Sequence, residues 1–121
     1  MKNPEYQFLP HDTVIGINIG GQIFETTVAV LTVDPYSLLA ACCREQPPFK
    51  KNPDGLFYFD RDWWLFRHIL AFLRSNKLPR DLETLKELYQ EASFYRLKRL
   101  QLAIENLPVA EVNLEVLNES K

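Results

Sequence analysis

A chain of 121 residues with 46% hydrophobic and 25% charged side chains has room for one buried core and not for two domains. Its net charge of −2 offers no broad attraction to phosphate backbones, which excludes nucleic acid as an expected partner. No apolar run reaches the roughly 18–20 residues that cross a bilayer, and charge and proline interrupt residues 1–13 where a signal peptide needs an unbroken apolar stretch, so no membrane insertion is expected.

Residues 1–12 mix charge, proline and aromatics without periodicity and read as an N-terminal arm, partly disordered. From Val14 onward Ile15, Ile17 and Ile19 alternate with Gly16 and Asn18, which is strand periodicity. Gly20-Gly21 supplies the two positive-φ positions of a primed turn, so a hairpin with a second strand over Gln22–Thr27 follows, Phe24 and Ile23 facing opposite sides. The β-branched run 28–33 stops at Asp34-Pro35. Ser37 then stands where a cap precedes Leu38-Leu39-Ala40-Ala41-Cys42, and two short helical pieces around a proline break are predicted. The stretch 44–54, with Pro47, Pro48 and Pro53, is a surface loop that turns at Pro53-Asp54-Gly55 into a strand over 56–60.

Asp62 can cap the next helix, in which Phe66, Ile69, Leu70 and Leu73 fall at i, i+3, i+4 and i+7 and form one buried stripe. That helix ends near Asn76-Lys77. Pro79-Arg80-Asp81 starts another, with Leu82, Leu85, Leu88, Tyr89 and Ala92 on one face, and a last helix carries Leu97, Leu100, Ile104 and Leu107 before Pro108 stops it. Residues 111–116 alternate with period two, as a half-buried edge strand does. No internal repeat or low-complexity tract interrupts the layout β-β-α-α-β-α-α-α. The expected class is α+β, a small mixed sheet packed against a helical cluster.

The residues that could carry chemistry do not assemble a reaction centre on paper. The run Gly16 to Gly21 lacks the Gly-Lys-Ser/Thr ending of a phosphate loop and leads into a strand, so it is a hairpin turn. Asp60-Arg61-Asp62 is an alternating charge triplet at a strand-to-helix junction, suited to capping and to bidentate carboxylate pairing, with no nucleophile beside it. No catalytic role is expected. Cys42 and Cys43 are adjacent and cannot comfortably bridge each other, which points to a reducing compartment, the cytoplasm, and to two small buried apolar residues. His68 and His11 lack partners at ligand spacing, and neither a metal nor a cofactor is expected. Trp63 and Trp64 are consecutive and cannot share one helical stripe, which leaves one of them free to face a partner.

Taken in order, Asn18-Ile19-Gly20-Gly21 with Phe24, Thr26-Thr27 and Leu31, then Pro35 and Ser37-Leu38-Leu39, then Phe59-Asp60-Arg61-Asp62, Phe66 to Leu70, Phe72-Leu73-Arg74, Lys77-Leu78, Glu91-Ala92 and Phe94-Tyr95 resemble the tetramerisation-type BTB/POZ domain. The likeness covers about residues 13–107, with an arm over 1–12 and an extension over 108–121. Phe72-Leu73-Arg74 and Glu91-Ala92-Ser93-Phe94-Tyr95 are closer to the soluble potassium-channel-tetramerisation-domain (KCTD) proteins than to the assembly domain of voltage-gated potassium channels. The resemblance implies a closed homo-oligomeric ring, a pentamer favoured over a tetramer, with subunit contacts at Asn18, Gly20, Gly21, Asp60, Arg61 and Asp62. It also implies that Phe94 meets cullin-3 and that the chain is a substrate adaptor of a cullin-3 ubiquitin ligase. A channel assembly domain and a cullin-independent oligomeric scaffold are the alternatives. The interface zinc of some channel branches is not carried over, because Cys42 and Cys43 lie early in the chain and no cysteine follows.

Overall fold

Ile15, Ile17 and Ile19 point to one face of the first strand, β1 (Val14–Ile19), and all three are buried. In the computed structural model, which describes residues 7–112, this strand is the middle of a three-stranded sheet. It pairs antiparallel with β2 (Gln22–Thr27) through the hairpin and parallel with β3 (Phe57–Phe59), giving a mixed sheet of order β2-β1-β3. A parallel neighbour needs a crossover. Here α1 (Val28–Leu31), α2 (Leu38–Ala41) and the proline-rich loop supply it. The Ser37 hydroxyl accepts from the Ala40 N–H at 3.1 Å, so the expected cap after the proline break is made.

Three longer helices complete the fold: α3 (Trp63–Ser75), α4 (Leu82–Tyr95) and α5 (Lys98–Glu105). The stripe of Phe66, Ile69, Leu70 and Leu73 on α3 is buried, and Phe66 meets Phe24 of β2 at 5.0 Å between ring centroids. Leu85, Leu88 and Ala92 bury the matching face of α4. Asn76 and Arg96 end these two helices in the left-handed region, at φ 58° and 60°. The start of α5 has no cap of its own. Its Arg99 N–H donates instead to the buried carboxylate of Asp34, at 3.0 Å, from the link between α1 and α2. The architecture is the expected α+β arrangement, with the helices behind one sheet face.

Among the described residues no helix covers the opposite face of the sheet. Asn18 lies in register between Ile23 on β2 and Tyr58 on β3, and both of these side chains are exposed. The inner end of the arm expected over 1–12 is docked: Phe8 bridges to Arg44, the Leu9 N–H donates to Cys43 O and the Glu45 N–H to Gln7 O, both at 2.8 Å. The strand expected over 111–116 does not begin at Glu111. After Pro108 the chain makes a 3₁₀ turn, Val109–Glu111, closed by the Glu111 N–H on Pro108 O at 2.9 Å, and residues 113–116 lie outside the described part. Among the described residues no helix is long and apolar enough to cross a membrane.

Tyr95 is the largest fully buried side chain, ringed by Phe59, Phe66 and Phe94, yet its hydroxyl has no hydrogen-bond partner among the described residues. A buried orphan hydroxyl costs on the order of 1–3 kcal/mol of desolvation. Tyr95→Phe is therefore expected to keep or raise the stability of the chain, read as the midpoint of urea unfolding. A loss above about 1 kcal/mol would show that the hydroxyl contributes a bond that offsets its burial.

Candidate functional site

The six residues expected at a subunit contact come from two segments some forty positions apart, and the fold joins them. Gly20 (φ 56°) and Gly21 (φ 105°) turn the hairpin, and the Asn18 side-chain oxygen accepts from the Gly21 N–H at 2.8 Å. The Gly20 N–H donates to Phe59 O at 2.9 Å, and the same carbonyl accepts from the Arg61 N–H at 2.9 Å, so strand β3 ends against the turn. The approach is so close that a Cβ on Gly20 would stand 2.3 Å from the Arg61 carbonyl oxygen. Hairpin tip and strand-to-helix corner are one surface.

Within the charge triplet the three side chains do different things. Asp62 caps α3, its Oδ1 accepting from the N–H groups of Trp64 (2.8 Å) and Leu65 (3.2 Å). Asp60 is exposed, taking a marginal bond from the Tyr58 hydroxyl at 3.5 Å and adding a charge attraction to the neighbouring Arg61. Arg61 turns inward to Glu91 on α4, donating from Nε to Oε2 at 3.1 Å and from Nη2 to Oε1 at 2.7 Å, a two-pronged pair. Glu91 is nearly covered while Arg61 keeps about a third of its side chain in water (9% against 35%). The hydrogen bonds that Arg61 donates to Glu91 hold the arginine pKa even higher than usual.

The same guanidinium lies over Phe94, with Cζ 3.9 Å from the ring centroid. Phe94 also meets the edges of Phe59 and Tyr95, at 6.3 and 4.9 Å, and remains 37% exposed. Residues assigned to separate surfaces thus touch. Glu91, quoted above only as part of a motif, is the member of this cluster that pattern reading did not place there. A signal was present: it sits on the apolar side of α4 with Leu88, Ala92 and Tyr95, and an acid there needs a cation.

The other candidates sit apart from this cluster. Cys42 and Cys43 follow α2 as buried free thiols, bonding weakly to Leu38 O and Leu39 O, and burial pushes the Cys43 thiol up to about 12 and raises Cys42 as well. Such thiols stay protonated and inert. His68 lies edge-on to Trp64 at 4.8 Å, its pKa drawn down by burial and by Arg67, and His11 is exposed on the arm. Trp63 and Trp64 both keep more than a third of their surface exposed. Among the described residues no group of three or more His, Cys, Asp and Glu side chains is placed to hold a metal ion. A cleft of about 400 Å³ between α4 and α5 is walled mainly by Leu85, Tyr89, Ile104 and Leu107.

Among the described residues a small mixed sheet, a polar corner fused to a hairpin tip and an exposed aromatic beside it stand together on one α+β fold, and the class they fall in is given by the family. Residues 15–105 match the family model for the BTB/POZ domain, and the chain belongs to that family, in its KCTD-like form. It is similar to the BTB/POZ domain-containing protein KCTD21 of Homo sapiens and of Mus musculus, each 39% identical over 102 residues that cover 83% of this chain and 38% of the relative. It is also similar to human KCTD14, 34% identical over 96 residues, or 79% of this chain and 37% of that protein. The chain thus spans less than two-fifths of the length of these relatives.

Proposed function

We propose that this chain assembles into a closed ring of identical copies, five rather than four, and works as an adaptor that presents Phe94 to a cullin-3 ubiquitin ligase scaffold in the cytoplasm. The observation that carries the reading is the continuous surface made by Asn18, Gly20 and Gly21 with Asp60, Arg61 and Asp62, built from two segments and held by the Gly20 to Phe59 bond. A ring needs two different faces that complement each other. The polar corner, continuous with the sheet surface at Asn18 and Tyr58, is one, and the second lies elsewhere on the protomer. The ligase supplies the chemistry, and the module supplies valency, since linked copies raise effective affinity by about 10²–10⁴ without a new contact.

Two measurements test this. Native mass spectrometry of the full chain should give a pentamer, and a strict monomer in dilute solution would reject the ring. Co-elution with the cullin-3 N-terminal domain at micromolar concentration is expected, and its absence would leave a cullin-independent scaffold. Asp60→Lys is the surface variant of choice, because Asp60 is exposed and its contacts inside its own protomer, a marginal bond from Tyr58 and a solvent-screened attraction to Arg61, are weak. It should leave the melting temperature within about 2 °C, in keeping with the small effects of exposed substitutions, and shift the assembly to smaller species on sedimentation. An unchanged oligomer would remove the corner from the interface.

A further inference from the structure

Arg61 belongs at once to the corner that would face a neighbouring copy and to the aromatic that would face a second protein. A guanidinium has five N–H groups, of which Nε and one hydrogen of Nη2 are taken by Glu91, while no other described residue accepts from the rest. Glu91 is almost covered and ties the guanidinium inward through two bonds, while the Arg61 side chain keeps about a third of its surface in solvent. Its Cζ lies 3.9 Å from the centroid of Phe94, which stands outside the six corner residues.

We propose that docking of a protein on Phe94 and the subunit contact at residues 60–62 are linked through Arg61, so that filling either site strengthens the other. This rests on the ring-and-adaptor reading above. A protein covering Phe94 excludes water from the stacked pair, and the attraction between a cation and a ring grows severalfold when desolvated. The strengthened stack then holds the guanidinium in the pose that presents its remaining N–H groups to a carbonyl or carboxylate oxygen of the next copy, which is positive cooperativity. Linkage of this kind is reciprocal: a subunit contact that locks Arg61 also holds the Phe94 ring ready.

The experiment is a double-mutant cycle on the full chain, with the self-dissociation constant measured by sedimentation on dilution. Phe94→Ala and Phe94→Leu, the second keeping apolar volume without the ring, should each weaken self-association about 3- to 10-fold. In an Arg61→Lys background the same changes should matter less than about twofold, because an ammonium does not lie flat on a ring. Melting curves of every variant separate this from loss of fold, and the Leu variant carries the test if the Ala variant melts. Wild-type assembly that is indifferent to both Phe94 variants would overturn the linkage and leave the ring standing, as would equal losses in the lysine background. A wild-type monomer would remove both. As a second arm, saturating cullin-3 N-terminal domain should tighten self-association by the same factor. Binding without tightening counts against the linkage, whereas no binding counts against the adaptor reading and leaves the linkage to the cycle.

Discussion

Gly20→Ala is expected to destabilise the chain by about 2–4 kcal/mol and to lower its melting temperature by about 10 °C. Part of the loss is backbone strain, since φ 56° costs an L-residue on the order of 1 kcal/mol. The rest is contact: the new methyl would stand 2.3 Å from the Arg61 carbonyl oxygen, a backbone atom that cannot rotate out of the way as a side chain can. Relief requires the corner to draw back from the hairpin, which stretches the Gly20 to Phe59 bond and displaces the whole charge triplet. Self-association should therefore suffer together with stability. Gly21→Ala carries strain alone, because nothing lies within 4 Å of its Cβ position, and its φ of 105°, outside the left-handed well, makes that strain larger than the strain at Gly20. By calorimetry, a Gly20→Ala chain within 1 kcal/mol of wild type would mean that the corner is not seated on the turn as described.

Arg61→Glu should be almost as severe, for an electrostatic reason. It sets a carboxylate against Glu91, which is nearly covered and has no other cation or hydrogen-bond donor among the described residues, and it deletes the cation over Phe94. Breaking a buried pair costs about 3–5 kcal/mol. Because Arg61 is a third exposed, water softens the penalty, and about 2 kcal/mol is expected here. The variant should also sediment as smaller species. Stability and assembly can be separated with the charge-reversed double variant Arg61→Glu, Glu91→Arg, which restores an ion pair inside the protomer but leaves the corner with the wrong sign. Its melting temperature should recover by at least half while its assembly stays weak. Full recovery of both would make Arg61 a purely internal tie.

Most of the elements could be read from local pattern because local physics decides them. The period-two isoleucines of β1, the glycine pair, the Ser37 and Asp62 caps and the i, i+3, i+4, i+7 stripe of α3 each write their conformation into a few neighbouring residues. What escaped was pairing over distance. The bond between Arg61 and Glu91 spans 30 positions and that between Arg99 and Asp34 spans 65, and neither partner changes the periodicity of its own segment. The inner end of the arm escaped for the same reason, since Gln7 and Leu9 acquire their strand-like pairing from Cys43 and Glu45. The site was half legible: its corner residues stood out as charges at a junction, but their division into a cap, an internal tie and one exposed acid needed the fold.

The carboxylate of Asp34 at the head of α5 joins distant parts of the chain. An isolated helix of eight residues does not hold in water, because nucleation outweighs so few backbone bonds. Here one terminal acceptor arrives from the link after α1, while Leu97 and Leu100 are buried in the core, so the last helix draws support from both ends of the polypeptide. Removing that early turn would unravel the far end of the domain as surely as cutting the end away, and a fragment starting after residue 34 should lose helical signal well beyond the residues deleted.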